Sequence, residues 1–469
     1  MNKKTTDILI IGGGPSGCAA AIAAINEGAT DVTIIEKEPL GRHRIGEILL
    51  TQTIIEFANL GIAEDISKYA QHYEWGKKYA AAYVHGNDRK PWKVQNNHPL
   101  ASVEDQPHIP RCFVNPDTQL WYTLMVRRHE FDESLREIAA KKGVTVIHGS
   151  VKDLHIIAED DKQKSTISHV EVETLDGKTF KINARFIIDA TGQQAFIPRK
   201  LKARHIVDDW NLQARYTYLN NVDYDNAMKN GLFKEGANII SFEDGWAWVA
   251  NLGRDLTSIG IVSKNWNKTD KNFWNKLANL PEYSTFGLDK AITVDHMGGK
   301  TESNNFYAHP NYRFRSETMR GRNWACVGDA AMFLDPLLSQ GVTLAISFGS
   351  QLGKLAHLIT SEEVESTDVL SKYEHSYISE IEVLNKVVTQ WYQPDFAFDK
   401  NWSGAAQRIS SIFGREIGTD VEAFRWVSNL ENIHHIINDK NDYQFLKELD
   451  SVNSIKMIHN FEKYNIISV

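Results

Sequence analysis

Asp7-Ile8-Leu9-Ile10-Ile11-Gly12-Gly13-Gly14-Pro15-Ser16-Gly17-Cys18 stands near the start of a 469-residue chain. Asp7 to Ile11 is a short apolar run rich in β-branched residues, the composition of a parallel strand buried on both faces. The glycines then turn the chain, and Cys18 to Asn26 reads as a helix of small residues. Val32-Thr33-Ile34-Ile35 supplies a second strand ending in Glu36. Gly12, Gly14 and Gly17 are thus the glycines of a G-x-G-x-x-G turn, with Pro15 and Ser16 between them and an acid about twenty residues on. Without Cβ atoms the backbone can approach a pyrophosphate, the helix start offers unpaired N–H groups, and Glu36 can accept from ribose hydroxyls.

Composition bounds the rest. With 42% hydrophobic and 24% charged residues the chain is an ordinary globular one, long enough for two or three packed units. A formal charge of -8 and no long Lys/Arg block argue against a nucleic-acid partner. Cys18, Cys112 and Cys326 lie far apart without metal-ligand spacing, which fits a reducing cytoplasm and structural roles. His155, His169, His296, His434 and His435 show no metal spacing either, so no metal is expected. Lys3 and Lys4 before Ile8 to Ile11 imitate an export signal, but glycines and Pro15 interrupt it. Without an uninterrupted apolar segment of membrane-spanning length, a cytoplasmic protein off the membrane is expected.

Gly328-Asp329-Ala330-Ala331-Met332-Phe333-Leu334-Asp335-Pro336-Leu337-Leu338-Ser339-Gln340-Gly341-Val342 follows the apolar run Trp324 to Val327. The order reads as a short buried strand, a loop and a helix starting near Gly341, because Thr343 to Ile359 repeats apolar residues at helical spacing. The first turn of that helix favours an anion, although an ordinary strand-to-helix turn has the same pattern. Two internal segments, Val126-Arg127-Arg128-His129-Glu130-Phe131-Asp132 with Leu135 and Phe186-Ile187-Ile188-Asp189-Ala190-Thr191-Gly192, join these. Together the motifs resemble those of flavoproteins of the aromatic-hydroxylase fold over residues 7 to about 350. The resemblance implies FAD, contacted by Arg128, Gly328 and Asp329. It implies an α/β architecture: a doubly wound Rossmann-type FAD-binding domain from 1–80, 125–200 and 312–360, an inserted mixed β-sheet substrate domain from 81–124 and 201–311, and a helical C-terminal region, 361–469.

Within that fold, Phe333, Pro336, Ser339 and Gly341 are spaced as in flavin-dependent halogenases, which this chain also resembles in Gly46-Glu47 and Trp246-Ala247-Trp248. The family's Ile-Pro after the tryptophan pair is replaced by Val249-Ala250-Asn251. Single-component hydroxylases carry a Gly-Ala-Asp-Gly type segment where this chain has Asp189-Ala190-Thr191-Gly192. The halogenase resemblance implies FAD contacts from Arg44, Ile45, Gly46, Gly341 and Val342, halide near the backbone N–H groups of Gln340 and Gly341, and a catalytic set of Lys78, Ser339 and Glu47. The count places the family's lysine on Lys78, with Lys77 one step away. An amine can hold hypohalous acid or capture it as a haloamine, keeping the electrophile beside the ring. The resemblance implies a two-component system in which FAD arrives as FADH2 from a separate flavin reductase, since no second dinucleotide fingerprint is present, and O2 and halide are co-substrates. Halogenases of free tryptophan carry a glutamate where this chain has Leu338. The expected substrate is therefore an electron-rich phenol, indole or pyrrole-type ring, free or carrier-bound.

Tyr216 to Val262 alternates like strands that roof a ring site. There Trp246 and Trp248 either touch the ring or simply alternate on a half-buried strand. Trp391-Tyr392-Gln393-Pro394-Asp395-Phe396-Ala397-Phe398 gathers aromatics around a proline. Trp391 and Phe396 could close over a substrate, form a contact in a homo-oligomer, or pack in a core. Two other functions remain compatible with the residues: a flavin-dependent hydroxylase or ring reductase, and a flavoprotein that binds a protein partner.

Overall fold

The computed structural model describes residues 5–391 apart from 39–42, 85–88, 90, 96–108, 158–160, 208–211, 243, 265, 267–271, 303–304, 310–312, 334 and 363. β1 (Thr5–Ile11), α1 (Pro15–Asn26) and β2 (Val32–Glu36) open the chain, with β1 and β2 parallel and Ile11 opposite Ile35. α2 (Thr51–Asn59), α3 (Ala63–Tyr73), β3 (Gly76–Lys78), β4 (Ala80–Val84) and β5 (Pro91–Gln95) follow. From sequence alone, Ile48 to Leu60 reads as a helix and Tyr79 to His85 as a strand. The helix begins at Thr51, β4 ends at Val84, and His85 lies outside the described residues.

β6 (Thr123–Met125) runs antiparallel to β3 and leads into α4 (Arg128–Lys141). The long β7 (Thr145–Ile157), β8 (Thr166–Thr174) and β9 (Thr179–Asp189) form an antiparallel meander whose outer strands also join the first sheet. β7, β2, β1 and β9 lie side by side in parallel there, with Ile11 opposite Asp189. β1, β2 and the last four residues of β9 are mostly buried and almost continuously apolar, whereas β7 is buried only at Gly149 and Leu154 and alternates with polar residues.

α5 (Phe196–Lys200) and β10 (Arg204–Ile206) lead to the second sheet, which contains β11 (Gln213–Asn220), β12 (Gly236–Phe242), β13 (Gly245–Asn251) and β14 (Thr257–Ser263), with α6 (Tyr224–Lys229) between the first two. α7 (Asn272–Ala278) precedes β15 (Ile292–Val294) and β16 (Tyr307–His309), and the sheet order is β15-β11-β14-β13-β12-β4-β5, with β16 on β11. Among the described residues only β12 and β4 pair in parallel in this sheet, so it is mixed. It divides two cores. Tyr216, Tyr218, Trp246 and Trp248 join the larger one, while Ala247, Val249, Ile259 and Ile261 face a smaller one built on Phe273 and Phe286. The alternation at Trp246 and Trp248 is real, but with cores on both sides the strand is buried rather than half-buried.

β17 (Phe314–Ser316), β18 (Trp324–Cys326), β19 (Met332–Phe333), α8 (Gly341–Thr360) and α9 (Ser366–Trp391) complete the described chain. β18 extends the parallel sheet beside β9, whereas β10, β17 and β19 form a small third sheet. Strands of two or three residues are too short to show a period in sequence, so that sheet was not anticipated. α8 lies against α1 closely enough that a Cβ on Gly353 would sit 2.0 Å from Ala20 O. This packing sets the start of α8 beside the glycine turn. Trp391 is described only as the last residue of α9, and Phe396, His434 and His435 lie outside the described residues. No helix among the described residues is long and apolar enough to cross a membrane.

Candidate active site

β1 delivers the backbone to Gly12, whose φ of +108° favours glycine and whose added Cβ would lie 2.4 Å from Ala190 O. α1 then starts at Pro15 with no acidic residue in its first turn and no side-chain cap from Gly14, so its N–H groups are free for an anion. A Cβ on Gly14 would meet nothing within 4 Å, which leaves room for a ligand against the backbone. At the end of β2, Glu36 accepts the Gly13 N–H at 2.7 Å. Arg136 donates to Gly13 O at 3.3 Å. Arg128, Asp132 and Arg136 share one face of α4 at four-residue spacing.

Arg128 is a buried strut rather than a surface side chain. It makes a two-pronged pair with Asp132, at 2.9 and 3.0 Å, and donates to Ile45 O at 2.8 Å and Gly46 O at 3.3 Å. The strap around Arg44 to Glu47 is thereby tied to α4. Burial pushes the Asp329 carboxyl up to about 6, while the Arg128 and Arg44 guanidiniums hold it down. No group of three His, Cys, Asp or Glu among the described residues could hold a metal.

One cavity of about 570 Å³ joins these elements, a size typical of small-molecule and cofactor sites. Gly12, Gly14, Pro15, Ser16, Glu36, Arg44, Ile45, Gly46, Glu47, Arg128, Asp329, Ser339, Gly341 and Val342 line it, as do Trp246 and Trp248. Gly17, Gly328, Gln340 and Lys78 do not line it. Gly17 lies under the turn, where a Cβ would meet Gly12 O at 2.0 Å. Gln340 is the buried residue before α8. The glycine cradle, the uncapped start of α1 and the Glu36 carboxylate suit FAD, and the tryptophans supply an apolar wall for a ring.

α8 begins without an acidic residue in its first turn or a side-chain cap, and Ser339 before it holds a left-handed φ of +54°. Such backbone strain in a residue other than glycine clusters at functional turns. The Thr53 and Thr343 hydroxyls, 2.7 Å apart, tie the first turns of α2 and α8 together.

Pairing of β3 with β6 sends the two lysines to opposite faces. Lys77 is exposed, with its ammonium 4.8 Å from the centre of the Tyr122 ring. Lys78 is 3% exposed. Its Nζ makes one hydrogen bond among the described residues, at 3.5 Å to Leu49 O, which Thr123 Oγ1 also reaches at 3.0 Å. Burial lowers the Lys78 amine to about 8.

Glu47 is 5% exposed and accepts the Tyr218 O–H at 2.7 Å. Burial pushes its carboxyl up to about 7, against hydrogen bonds from Ser258 and Tyr218 and the charge of Arg128. Tyr218 Oη is also 2.9 Å from His43 Nε2. Sequence reasoning missed the roles of Tyr218, His43 and Arg136. Helical spacing from Arg128 was a signal for Arg136, but nothing local pairs Tyr218 with a carboxylate 171 positions away.

The model of the tryptophan halogenase family matches residues 7–98 and 103–444. The 1H-pyrrole-2-carbonyl-[peptidyl-carrier protein] chlorinase of Pseudomonas fluorescens is 24% identical over 367 residues, 74% of each chain. Among solved structures, a flavoprotein/dehydrogenase from Cytophaga hutchinsonii superposes with a TM-score of 0.71 at 23% identity, covering 97% of this chain and 99% of the other. The myxobacterial chondrochloren halogenase CndH gives 0.70 at 20%, covering 97% of each. With its motifs on a fitting cradle and the family model spanning most of its length, this chain belongs to the tryptophan halogenase family and is an FAD-dependent, aromatic-halogenating oxidoreductase.

Proposed function

We propose that this enzyme halogenates an electron-rich phenol, indole or pyrrole-type ring other than free tryptophan, free or carrier-bound, with Lys78 as the amine that holds hypohalous acid. The observation that carries this reading is Lys78 itself: a buried amine lowered to about 8, with one long hydrogen bond to Leu49 O. Leu338, where halogenases of free tryptophan carry a glutamate, supports the exclusion of that amino acid. The Pseudomonas fluorescens relative acts on a carrier-bound pyrrole, which favours a ring of this class.

Bound reduced FAD supplies, with O2, the oxidising power that turns halide into hypohalous acid. The chain's residues bind, orient and exclude water. The Gly12 to Gly17 turn and the start of α1 hold the pyrophosphate, Glu36 the ribose, and Arg128 with Asp329 the nucleotide beside the strap of Arg44, Ile45 and Gly46. Backbone N–H groups at Gln340 and Gly341 hold halide at the positive end of α8, and Val342 borders the flavin. Ser339 orients the hypohalous acid. The neutral Lys78 amine then accepts it as a haloamine or hydrogen-bonds it beside the ring, which Trp246 and Trp248 stack against. Trp391 and Phe396 are further candidates for substrate contact.

The FAD-binding domain comprises 1–80, 125–200 and 312–360, the substrate domain 81–124 and 201–311, and the C-terminal region 361–469. A separate flavin reductase, a cytoplasmic setting and a homo-oligomer complete the proposal. The test is incubation with FAD, a flavin reductase, NADH, an activated ring and chloride, bromide or iodide in turn, with mass detection of a ring halogen. Loss of that product in Lys78→Ala but not Lys77→Ala is expected. Product carrying added oxygen without halide would replace this reading with a hydroxylase, and halogenation surviving Lys78→Ala would remove the lysine from it.

A further inference from the structure

Halogenation closes its balance only with a proton: Ar–H + X⁻ + O2 + FADH2 + H⁺ gives Ar–X + FAD + two H2O. Oxygen takes two electrons from the flavin and two from the ring and halide, the C–H and O–O bonds break, and a C–X bond forms. Ring hydroxylation on the same cofactor has no such requirement, because Ar–H + O2 + FADH2 gives Ar–OH + FAD + H2O. A halogenase therefore has to bring one proton per turnover to the flavin cavity.

We propose that His43, Tyr218 and Glu47 form the relay that delivers this proton, a role that rests on the halogenation reading above. Glu47 and His43 both line the cavity, and Tyr218 bridges them from β11. The Tyr218 hydroxyl gives its hydrogen to Glu47 Oε1 at 2.7 Å, so the 2.9 Å contact with His43 Nε2 takes its hydrogen from the imidazole. When Glu47 passes its proton to the oxygen released in the cavity, the Tyr218 proton moves to Glu47 and the His43 proton moves to Tyr218. Imidazolium at His43 is the donor that resets the chain. Glu47 is buried, whereas His43 is half-buried and reaches solvent, so the relay has an inner and an outer end.

The surroundings suit each station. Glu47 faces Arg128 from α4 and Ser258 from β14, and Ser258 also accepts Trp248 Nε1–H at 3.0 Å. These groups fix the carboxyl against the wall, and its position near pH 7 lets it both give and regain a proton. Burial and the Glu47 charge hold the Tyr218 phenol far above its ordinary range, so Tyr218 conducts without ionising. His43 packs beside Tyr216, Tyr218, Tyr307 and His296, whose ring centres lie 4.1–5.5 Å away. His296 in turn meets His129 at 5.3 Å, and burial lowers both imidazoles despite Asp295 and Glu130.

The test uses the full chain in two arms. In the first, without flavin, infrared titration follows the carboxyl C=O band that Glu47→Gln removes. Tyr218→Phe is expected to shift its midpoint upward, since the lost hydrogen bond favours the carboxylate. In the second, photochemically reduced FAD, O2, bromide and a phenol are supplied to wild type, Tyr218→Phe and His43→Gln. On the order of a hundredfold loss of kcat is expected in both variants above pH 8, with KM for the ring and FAD affinity unchanged, and with imidazole restoring His43→Gln. Full kcat in Tyr218→Phe, an unmoved Glu47 midpoint, or a loss that imidazole does not restore would overturn the relay. If wild type yields no brominated ring at all, it is the halogenation reading that fails, and the relay's purpose with it.

Discussion

Replacing Lys78 with methionine keeps the apolar stem and removes the amine, and it should separate activity from stability. The Lys78 amine is lowered from 10.5 to about 8 by burial, with no charged partner among the described residues to offset it. At a fixed pH below both values, the neutral fraction rises about 300-fold, because each pH unit is a factor of ten. That is the form able to capture a positive halogen. The same depression sets a stability cost. Between pH 8 and 10.5 the unfolded chain binds the proton that the folded chain has released, so folding stability increases with pH across that window. Below pH 8 the folded chain carries a buried ammonium and bears the full cost, about 3 kcal/mol at 1.36 kcal/mol per unit. Lys78→Met should therefore unfold at a higher urea midpoint than wild type at pH 7, by up to about that free energy, and the advantage should vanish near pH 10.5. Ring halogenation should be lost at every pH. A variant less stable than wild type at pH 7 would mean that Lys78 has favourable partners its burial does not reveal. Retained halogenation would mean that the amine is not the halogen carrier.

Gly12→Ala should abolish FAD binding, measured by flavin fluorescence, since its Cβ would meet Ala190 O at 2.4 Å on a backbone of positive φ. Glu36→Ala removes the acceptor of Gly13 N–H and the proposed ribose contact, so FAD affinity should fall by about 2 kcal/mol, roughly thirtyfold in Kd. Arg128→Met leaves Asp132 buried and unpaired, a cost of about 3–5 kcal/mol, visible as a lower Tm. The double variant Arg128→Met with Asp132→Leu should recover much of that Tm but not FAD binding, because Ile45 O still lacks its donor.

What could be read from the sequence depended on how far apart the cooperating residues stand. The glycine turn, α1 and Glu36 lie within one βαβ unit, and their chemistry uses backbone and spacing, so that half of the cavity was legible. The start of α8 was expected near Gly341, where the helix begins, for the same reason: turn residues give way there to a long apolar period. Lys78 is different. Its burial depends on β3 pairing with β6, about forty-five residues on, and nothing local separates it from Lys77. Only resemblance singled it out. The Trp246 and Trp248 strand was misjudged because a period of two marks which face each side chain takes, not whether the opposite face is covered. The second core, on Phe273 and Phe286, covers it.

Glu47 and Tyr218 carry this reasoning furthest. A glutamate in a loop and a tyrosine in an aromatic strand are each unremarkable alone. The fold sets them 2.7 Å apart, where burial brings the carboxyl into the range in which protons are exchanged near neutral pH. Binding the cofactor draws on local sequence, whereas adjusting a proton draws on contacts across the fold. On the function proposed above, the residues that would turn a shared flavin scaffold to halogenation lie in pairings such as this one and the β3–β6 contact, which a linear reading is least able to find.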